Sequence, residues 1–296
     1  MELNKPGKIV FIGGDLRQIR VVNQMAKSGM NINVFGFDEN IINKFDESVE
    51  FVKNIEELNG EYKVIILPLP YTTDGENINA PFFSGLMPIN EVITNILPKS
   101  YVLAGRCDEK IKTIAEICGI TLVDYFQREE LMMLNAVPTA EGALQIAMEE
   151  TPHTLHGARC LVTGGGRISK ILSKMLHGIG AKVSVSARKR GDLAQAEAFG
   201  YTGIPIWELY NCIDRFDVVF NTVPSLVMDS RLLSKIHKSC LIIDLASKPG
   251  GVDFDAAQKL GIKVIWALSL PGKVAPDTAG DIIASTILNI LDEMEV

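Results

Sequence analysis

The residues that point most directly to a chemistry are Cys160-Leu161-Val162-Thr163-Gly164-Gly165-Gly166-Arg167-Ile168-Ser169-Lys170. Gly164 and Gly166 fill the first two places of a Gly-x-Gly-x-x-Gly spacing, and Ser169 stands at the third. Cys160 to Thr163 reads as a short buried strand. The stretch from Ile168 to Ile179, with Ile171, Leu172, Met175 and Leu176 at helical spacing, reads as a helix. Strand, glycine turn and helix together are the context in which this spacing points to dinucleotide binding. Glycines let the backbone N–H groups and the helix N-terminus approach a pyrophosphate. Gly165, Arg167 and Ile168 complete the turn, and serine is small enough for the close helix–strand packing that the third place requires. The alternative is a glycine-rich turn of another α/β protein.

The next strand, Lys182 to Ala187, ends in Arg188-Lys189-Arg190. An NAD site places an acidic residue about 20 positions past the glycines, for the ribose 2′-hydroxyl. None stands at this strand end. Ser186, Arg188 and Lys189 suit a 2′-phosphate instead, with arginine offering a bidentate fork. The expected cofactor is therefore NADP, with NAD second. The alternative for this turn is a solvated basic loop.

The elements that must position these residues alternate strand and helix along 296 residues, enough for two ordinary domains. Lys8 to Ile12, Asn31 to Phe35, Lys63 to Leu67, Tyr101 to Ala104 and Ile120 to Val123 read as strands, Glu50 to Val52 as a short one. Arg17 to Ser28, Pro88 to Leu97 and Asp108 to Cys118 read as helices. Gly13-Gly14-Asp15 makes a turn after the first strand, but it lacks the second and third glycine places and is assigned no dinucleotide. Pro68 to Pro88 is long for a connection and follows a strand's carboxyl end, where α/β sheets bind ligands. Gln127 to Glu150 reads as two helical stretches broken at Pro138. The domain boundary is expected near residue 151. Asp217 to Asn221, Cys240 to Leu245 and Lys263 to Leu268 are further strands, and Asp281 to Met294 a final amphipathic helix expected to pack back on the first domain. The fold class is α/β, with two doubly wound parallel-sheet domains and a cleft between them.

The net charge of −7 argues against general nucleic-acid binding. Residues 1–150 hold 13 basic against 22 acidic side chains and residues 151–296 hold 16 against 14, so the half assigned to the phosphate-rich cofactor is the less acidic. No apolar run is long enough for a membrane span, and Met1 to Lys8 carries no signal-peptide core, so a cytoplasmic protein is expected. Five scattered cysteines without a Cys-x-x-Cys read as reduced core residues, and no metal site is expected. His153, His156, His177 and His237 lie off the expected carboxyl edges of the sheets, which disfavours a 2-hydroxyacid dehydrogenase relying on a catalytic histidine.

Several segments resemble one family nearly end to end. They are Ile12-Gly13-Gly14-Asp15 with Arg17-Gln18, Asn135-Ala136-Val137-Pro138-Thr139-Ala140-Glu141-Gly142, the glycine turn with Ser186-Ala187-Arg188, Asn221-Thr222-Val223-Pro224, Ile243-Asp244-Leu245-Ala246-Ser247-Lys248-Pro249-Gly250-Gly251, and Leu270-Pro271-Gly272-Lys273-Val274-Ala275-Pro276 with Thr278-Ala279-Gly280. The resemblance is to the A subunits of dipicolinate synthase from spore-forming bacteria. Gly165 and Ser169 depart from the pattern of that family's glycine turn.

The resemblance implies an N-terminal flavodoxin-like domain and a C-terminal Rossmann domain. It also implies a partner, the smaller flavoprotein-like B subunit, with a homo-oligomer possible. The implied reaction oxidises a dihydro or hydroxylated tetrahydro dicarboxylate of the lysine pathway to pyridine-2,6-dicarboxylate during sporulation. On that reading Arg17, Thr72, Thr73 and Arg106 are the expected carboxylate binders. Lys248 binds substrate, moves a proton or caps a loop. Asn221, Thr222, Val223 and Pro224, with Leu270 and Pro271, line the nicotinamide side. Glu141 and Asp244 are possible bases. Two other classes stay open: an alanine-dehydrogenase-like enzyme of different substrate, and a nucleotide-binding scaffold whose chemistry depends on its partner.

Overall fold

The computed structural model describes residues 8–58, 62–96 and 98–295. The stretch Met1–Gly7, and Leu97 as the expected end of a helix, lie outside the described residues. The chain forms two compact units, residues 1–134 with 275–296 and residues 135–274.

The first unit runs β1 (Ile9–Ile12), α1 (Leu16–Lys27), β2 (Ile32–Phe35), β3 (Glu50–Phe51), β4 (Val64–Ile66), α2 (Ile89–Thr94), β5 (Tyr101–Ala104), α3 (Glu109–Ile117), β6 (Thr121–Asp124) and the start of α4 (Glu129–Glu150). Among the described residues its strands form one parallel sheet in the order β3-β2-β1-β4-β5-β6. Without the two-residue edge strand β3, this is the order of a flavodoxin-like sheet. Every residue of β1, β2 and β4 is buried, as a parallel sheet covered on both faces requires. The period of two sends Ile9 and Phe11 into one apolar layer and Val10 and Ile12 into the other.

The second unit runs from within α4 through β7 (Arg159–Thr163), α5 (Arg167–Gly178), β8 (Lys182–Ala187), α6 (Arg190–Ala198), β9 (Thr202–Pro205), β10 (Val218–Asn221), α7 (Ser230–Leu233), β11 (Leu241–Asp244), α8 (Phe254–Leu260), β12 (Lys263–Trp266) and α9 (Leu270–Val274). Among the described residues the sheet order is β12-β11-β10-β7-β8-β9, all parallel. Counted from β7, this is the doubly wound dinucleotide-binding order, and it reverses between β7 and β10.

The last helix, α10 (Pro276–Glu293), belongs to the first unit. It buries Ile283, Ala284, Ile287, Ile290 and Leu291 in the layer that also holds Ile19 and Val22 of α1. Gly280 permits the approach, since a Cβ there would lie 2.6 Å from Arg20 Cβ. Arg20 donates to both oxygens of Asp281 at 2.7 and 2.9 Å, and Arg128 to both oxygens of Glu293 at 2.7 and 2.6 Å.

Two expectations differ from this picture. Helix α4 is continuous through Pro138, not broken there. A proline in a helix interior leaves the carbonyl four residues earlier without its bond. Here that carbonyl belongs to Leu134, the residue at which the contacts divide into units, and Thr139 Oγ donates to Asn135 O at 2.8 Å in the same turn. The division therefore falls inside α4, and residue 151 marks only that helix's end.

Candidate functional site

The β7–α5 turn sits where the second sheet reverses its order. Gly164 has φ +102°, and a Cβ there would lie 2.4 Å from Thr222 Oγ, so glycine is imposed by the chain's own packing. Its N–H donates to Ser186 O at 2.7 Å, which ties the turn to β8. Ser169, 1% exposed, donates its hydroxyl to Gly164 O at 2.6 Å. The third glycine place is thus held by a side chain small enough to bury and able to lock helix to turn.

Gly166 is different. Its φ is −82°, and no described atom lies within 4 Å of an added Cβ. Neither strain nor packing asks for glycine there. It is the N-cap of α5, a twelve-residue helix whose first turn has no side-chain cap hydrogen bond and no acidic residue. The orphan N–H groups and the positive end of the helix dipole are left for an anion. Both observations fit a dinucleotide's pyrophosphate.

The corresponding turn of the first unit is closed. Asp15 caps α1 with its own carboxylate, accepting from Arg17 N at 2.9 Å. Gly14 N–H donates to Asn79 O at 2.8 Å, and a Cβ on Gly13 would touch Ala80 and Asn79 at 3.0 Å. The loop after β4 thus folds over the turn, and a carboxylate already holds the helix N-terminus.

At the carboxyl ends of β7, β10 and β11 a buried polar knot organises the second unit. Asp244 is fully buried and accepts from Asn221 Nδ2 at 2.8 Å and from the amides of Ala246 at 3.0 Å and Gly251 at 2.8 Å. Asn221, also fully buried, accepts the Thr163 hydroxyl at 2.6 Å and donates to Val223 O at 3.0 Å. Gly251 is required here, because a Cβ would lie 2.3 Å from Asn221 Nδ2. Trp266 Nε1 donates to Ala246 O at 2.9 Å. The run from Asp244 to Gly251 is therefore a loop wrapped on one buried carboxylate, with Lys248 exposed at its crest. Asp244, a possible base on the sequence, has its oxygens turned to these donors.

The other expected residues fall out unevenly. Arg188 and Lys189 are exposed after β8, whereas Ser186 is fully buried, with its hydroxyl facing no partner among the described residues. The Ser186 hydroxyl is enclosed rather than presented beside Arg188 and Lys189, and its carbonyl accepts the Gly164 N–H at 2.7 Å. Thr222 donates its hydroxyl to Thr163 O at 2.6 Å, Val223 is half-buried and Pro224 exposed. Leu270 and Pro271 are buried in α9, with Leu270 packed against Gly142. Arg167 and Ile168 open α5, both half-buried.

In the first unit, Arg17 is not presented to a ligand. It is buried, and its guanidinium lies on the Asp15 carboxylate, 2.7 Å from Oδ2, and on the Leu69 carbonyl. Thr72 is used by its own loop: its hydroxyl bonds Asp74 at 3.1 Å and accepts from Gly75 N at 3.0 Å, and Asn77 holds the Asp74 carboxyl well below the usual range. Thr73 beside it is exposed. Arg106 is exposed at the end of β5 with φ +65°, a conformation that costs a non-glycine residue free energy. Asp124 enforces it, accepting from the amides of Arg106 and Cys107 at 2.9 Å each. Burial, and then the Asp124 charge, push the Cys107 thiol up to about 12, so the neighbour of Arg106 is a neutral thiol rather than a nucleophile. Tyr71 donates to Asp108 at 2.7 Å. Burial and that carboxylate raise the phenol's pKa; burial also pushes on Asp108, but the Tyr71 hydroxyl and the Ile111 amide hold it low.

Comparison with known proteins adds sequence relatives to this geometry. The family model for the N-terminal domain of the dipicolinate synthase A subunit matches residues 8–126. The chain is 33% identical over 291 residues to the A subunit of dipicolinate synthase from Bacillus subtilis, covering 97% of this chain and 97% of that protein. Its structure is similar to the crystal structure of the dipicolinate synthase A chain from Bacillus subtilis, with a TM-score of 0.90 at 31% identity over 99% of this chain and 98% of that one. In fold alone it is similar to a transhydrogenase from Sinorhizobium meliloti, with a TM-score of 0.72 at 15% identity over 97% of this chain and 94% of that one.

Proposed function

The chain belongs to the family of dipicolinate synthase A subunits, and from that premise we propose that it is the NADP-dependent oxidoreductase component of a dipicolinate synthase. The reaction assigned to it oxidises a dihydro or hydroxylated tetrahydro dipicolinate to pyridine-2,6-dicarboxylate. The observation that carries the reading is the β7–α5 turn: a helix N-terminus with no side-chain cap, entered through a glycine that nothing in the chain itself requires.

A bound NADP supplies the acceptor for the hydride that leaves when the ring aromatises. The amides from Gly165 to Ile168 would hold its pyrophosphate, Arg188 and Lys189 its 2′-phosphate, and the Asn221–Pro224 segment its nicotinamide end. Arg106 and Thr73 bind substrate carboxylate; Arg106 suits this because it offers a planar fork and its backbone is fixed by Asp124. Arg17 and Thr72 hold the loop after β4 in shape and act as positioning residues. Lys248, exposed on the loop wrapped around Asp244, takes the ring proton or a carboxylate. The protein's task is chiefly to orient the reactants, since aromatisation supplies driving force. The family name speaks of one subunit among others, and the flavoprotein-like B subunit in the cytoplasm of a sporulating cell is the partner we assign.

The test is a turnover assay with enzymatically generated substrate, followed at the NADPH and pyridine absorption bands, with this chain alone and then with its partner. NADPH and pyridine product rising together supports the proposal. Product that needs the partner and appears without NADPH would leave this chain as a nucleotide-binding scaffold.

A further inference from the structure

The acidic residue missing from the end of β8 has a counterpart one turn further on. Asp192 lies in the first turn of α6, after the basic run Arg188-Lys189-Arg190. Its carboxylate stands over Gly165: a Cβ on that glycine would lie 2.3 Å from Asp192 Cγ and 2.4 Å from Oδ2. The φ of Gly165 is not positive, so the missing Cβ makes room for the carboxylate and does not relieve the backbone. Asp192 is half-buried, and among the described residues no hydrogen bond or ion pair engages its oxygens. With Gly165, Ser169, Lys170 and Gln195 it lines a small crevice beside the glycine turn.

A dinucleotide whose pyrophosphate rests on this turn places its adenosine ribose at the end of the second strand. That strand is β8, which the bond from Gly164 N–H to Ser186 O holds against the turn. We propose that Asp192 is a specificity-determining residue of this site. Its carboxylate accepts the 2′-hydroxyl of a non-phosphorylated dinucleotide and opposes a 2′-phosphate. Arg188 and Lys189 act in the opposite sense. The site is then dual, with NADP favoured over NAD by a modest factor. The inference rests on the dinucleotide reading of the glycine turn.

The experiment is calorimetric titration of the full chain with NAD⁺ and with NADP⁺. Asp192→Asn is expected to weaken NAD⁺ about tenfold, the loss of a charge-assisted hydrogen bond, and to tighten NADP⁺ about threefold by removing a nearby like charge. Gly165→Ala, whose methyl displaces the carboxylate while keeping the charge, is expected to weaken NAD⁺ in the same direction. If Asp192→Asn does not fold, Asp192→Ser carries the same comparison. Binding of both dinucleotides by these variants in the wild-type ratio overturns the inference and leaves the cofactor reading standing. Wild-type protein that binds neither dinucleotide overturns the cofactor reading and the inference with it.

Discussion

Replacing Gly166 with alanine separates what a ligand requires from what the chain requires. At φ −82° and ψ −170° the backbone accepts any residue, and no described atom lies within 4 Å of the new methyl. The cost to the free protein is then the N-cap preference alone, about 0.5–1 kcal/mol for alanine in place of glycine. For domains of this size, that is a fall in Tm of at most about 4 °C. In the complex the methyl stands where a pyrophosphate approaches the turn. Overpacking of a close contact costs about 1–3 kcal/mol, which at about 1.4 kcal/mol per factor of ten is a loss of affinity of about 5- to 150-fold. Titration calorimetry with NADP⁺ and scanning calorimetry of the unliganded protein read the two effects apart. NADP⁺ bound as tightly by Gly166→Ala as by wild type would refute placing the pyrophosphate on this turn. A fall in Tm of more than about 10 °C would show that the glycine serves the fold.

Gly164→Ala is expected to lower stability by about 2–4 kcal/mol in urea denaturation, because it combines a positive φ with a clash on the Thr222 hydroxyl that bonds Thr163. Arg188→Asp is expected to weaken NADP far more than NAD in a binding titration, and unchanged selectivity would remove the 2′-phosphate from that residue. Asp244→Ala leaves two buried amides, and one of the two Asn221 Nδ2 hydrogens, without an acceptor, so a loss of about 3–5 kcal/mol is expected in the same denaturation experiment. The carboxyls of Asp217 and Glu293 are held low chiefly by the Arg159 and Arg128 side chains. Their stabilisation is thus present above the ordinary carboxylate range and lost as pH falls through the depressed values. Urea midpoints are expected to drop between about pH 5 and pH 3, with a shallower slope in Arg159→Met.

The sheets and the glycine turn were legible because each rests on a local rule: apolar runs for strands covered on both faces, and a positive φ or a close approach for glycine. The burial of Ser186 was hidden because β8 alternates polar and apolar residues, and Lys182 and Ser184 on the same side are exposed and half-buried. The place of Arg17, expected as a carboxylate binder, depends on its neighbour. Asp15 two residues earlier is a helix N-cap, and its carboxylate claims the guanidinium. Pro138 signals a break locally, yet α4 runs on through it, with Leu131 buried in one core and Ala140, Ala143 and Ala147 in another. The Asp244–Gly251 run stood out in the sequence, but only the structure gives its reason: one buried carboxylate gathers the loop's amides, and Gly251 makes room for Asn221. Asp192 was missed because it lies beyond the strand end, and tertiary contact alone brings it to Gly165.

The most direct test of the central proposal follows the hydride itself. Reduced dipicolinate carrying deuterium on every saturated ring carbon is turned over by the full chain with NADP⁺, and the recovered dinucleotide is weighed by mass spectrometry. Deuterium in the reduced dinucleotide, matched to pyridine product and lost in Gly166→Ala at the same dinucleotide concentration, is the result expected. Pyridine product formed with no deuterium in the dinucleotide would contradict the account and take the oxidation away from the β7–α5 turn.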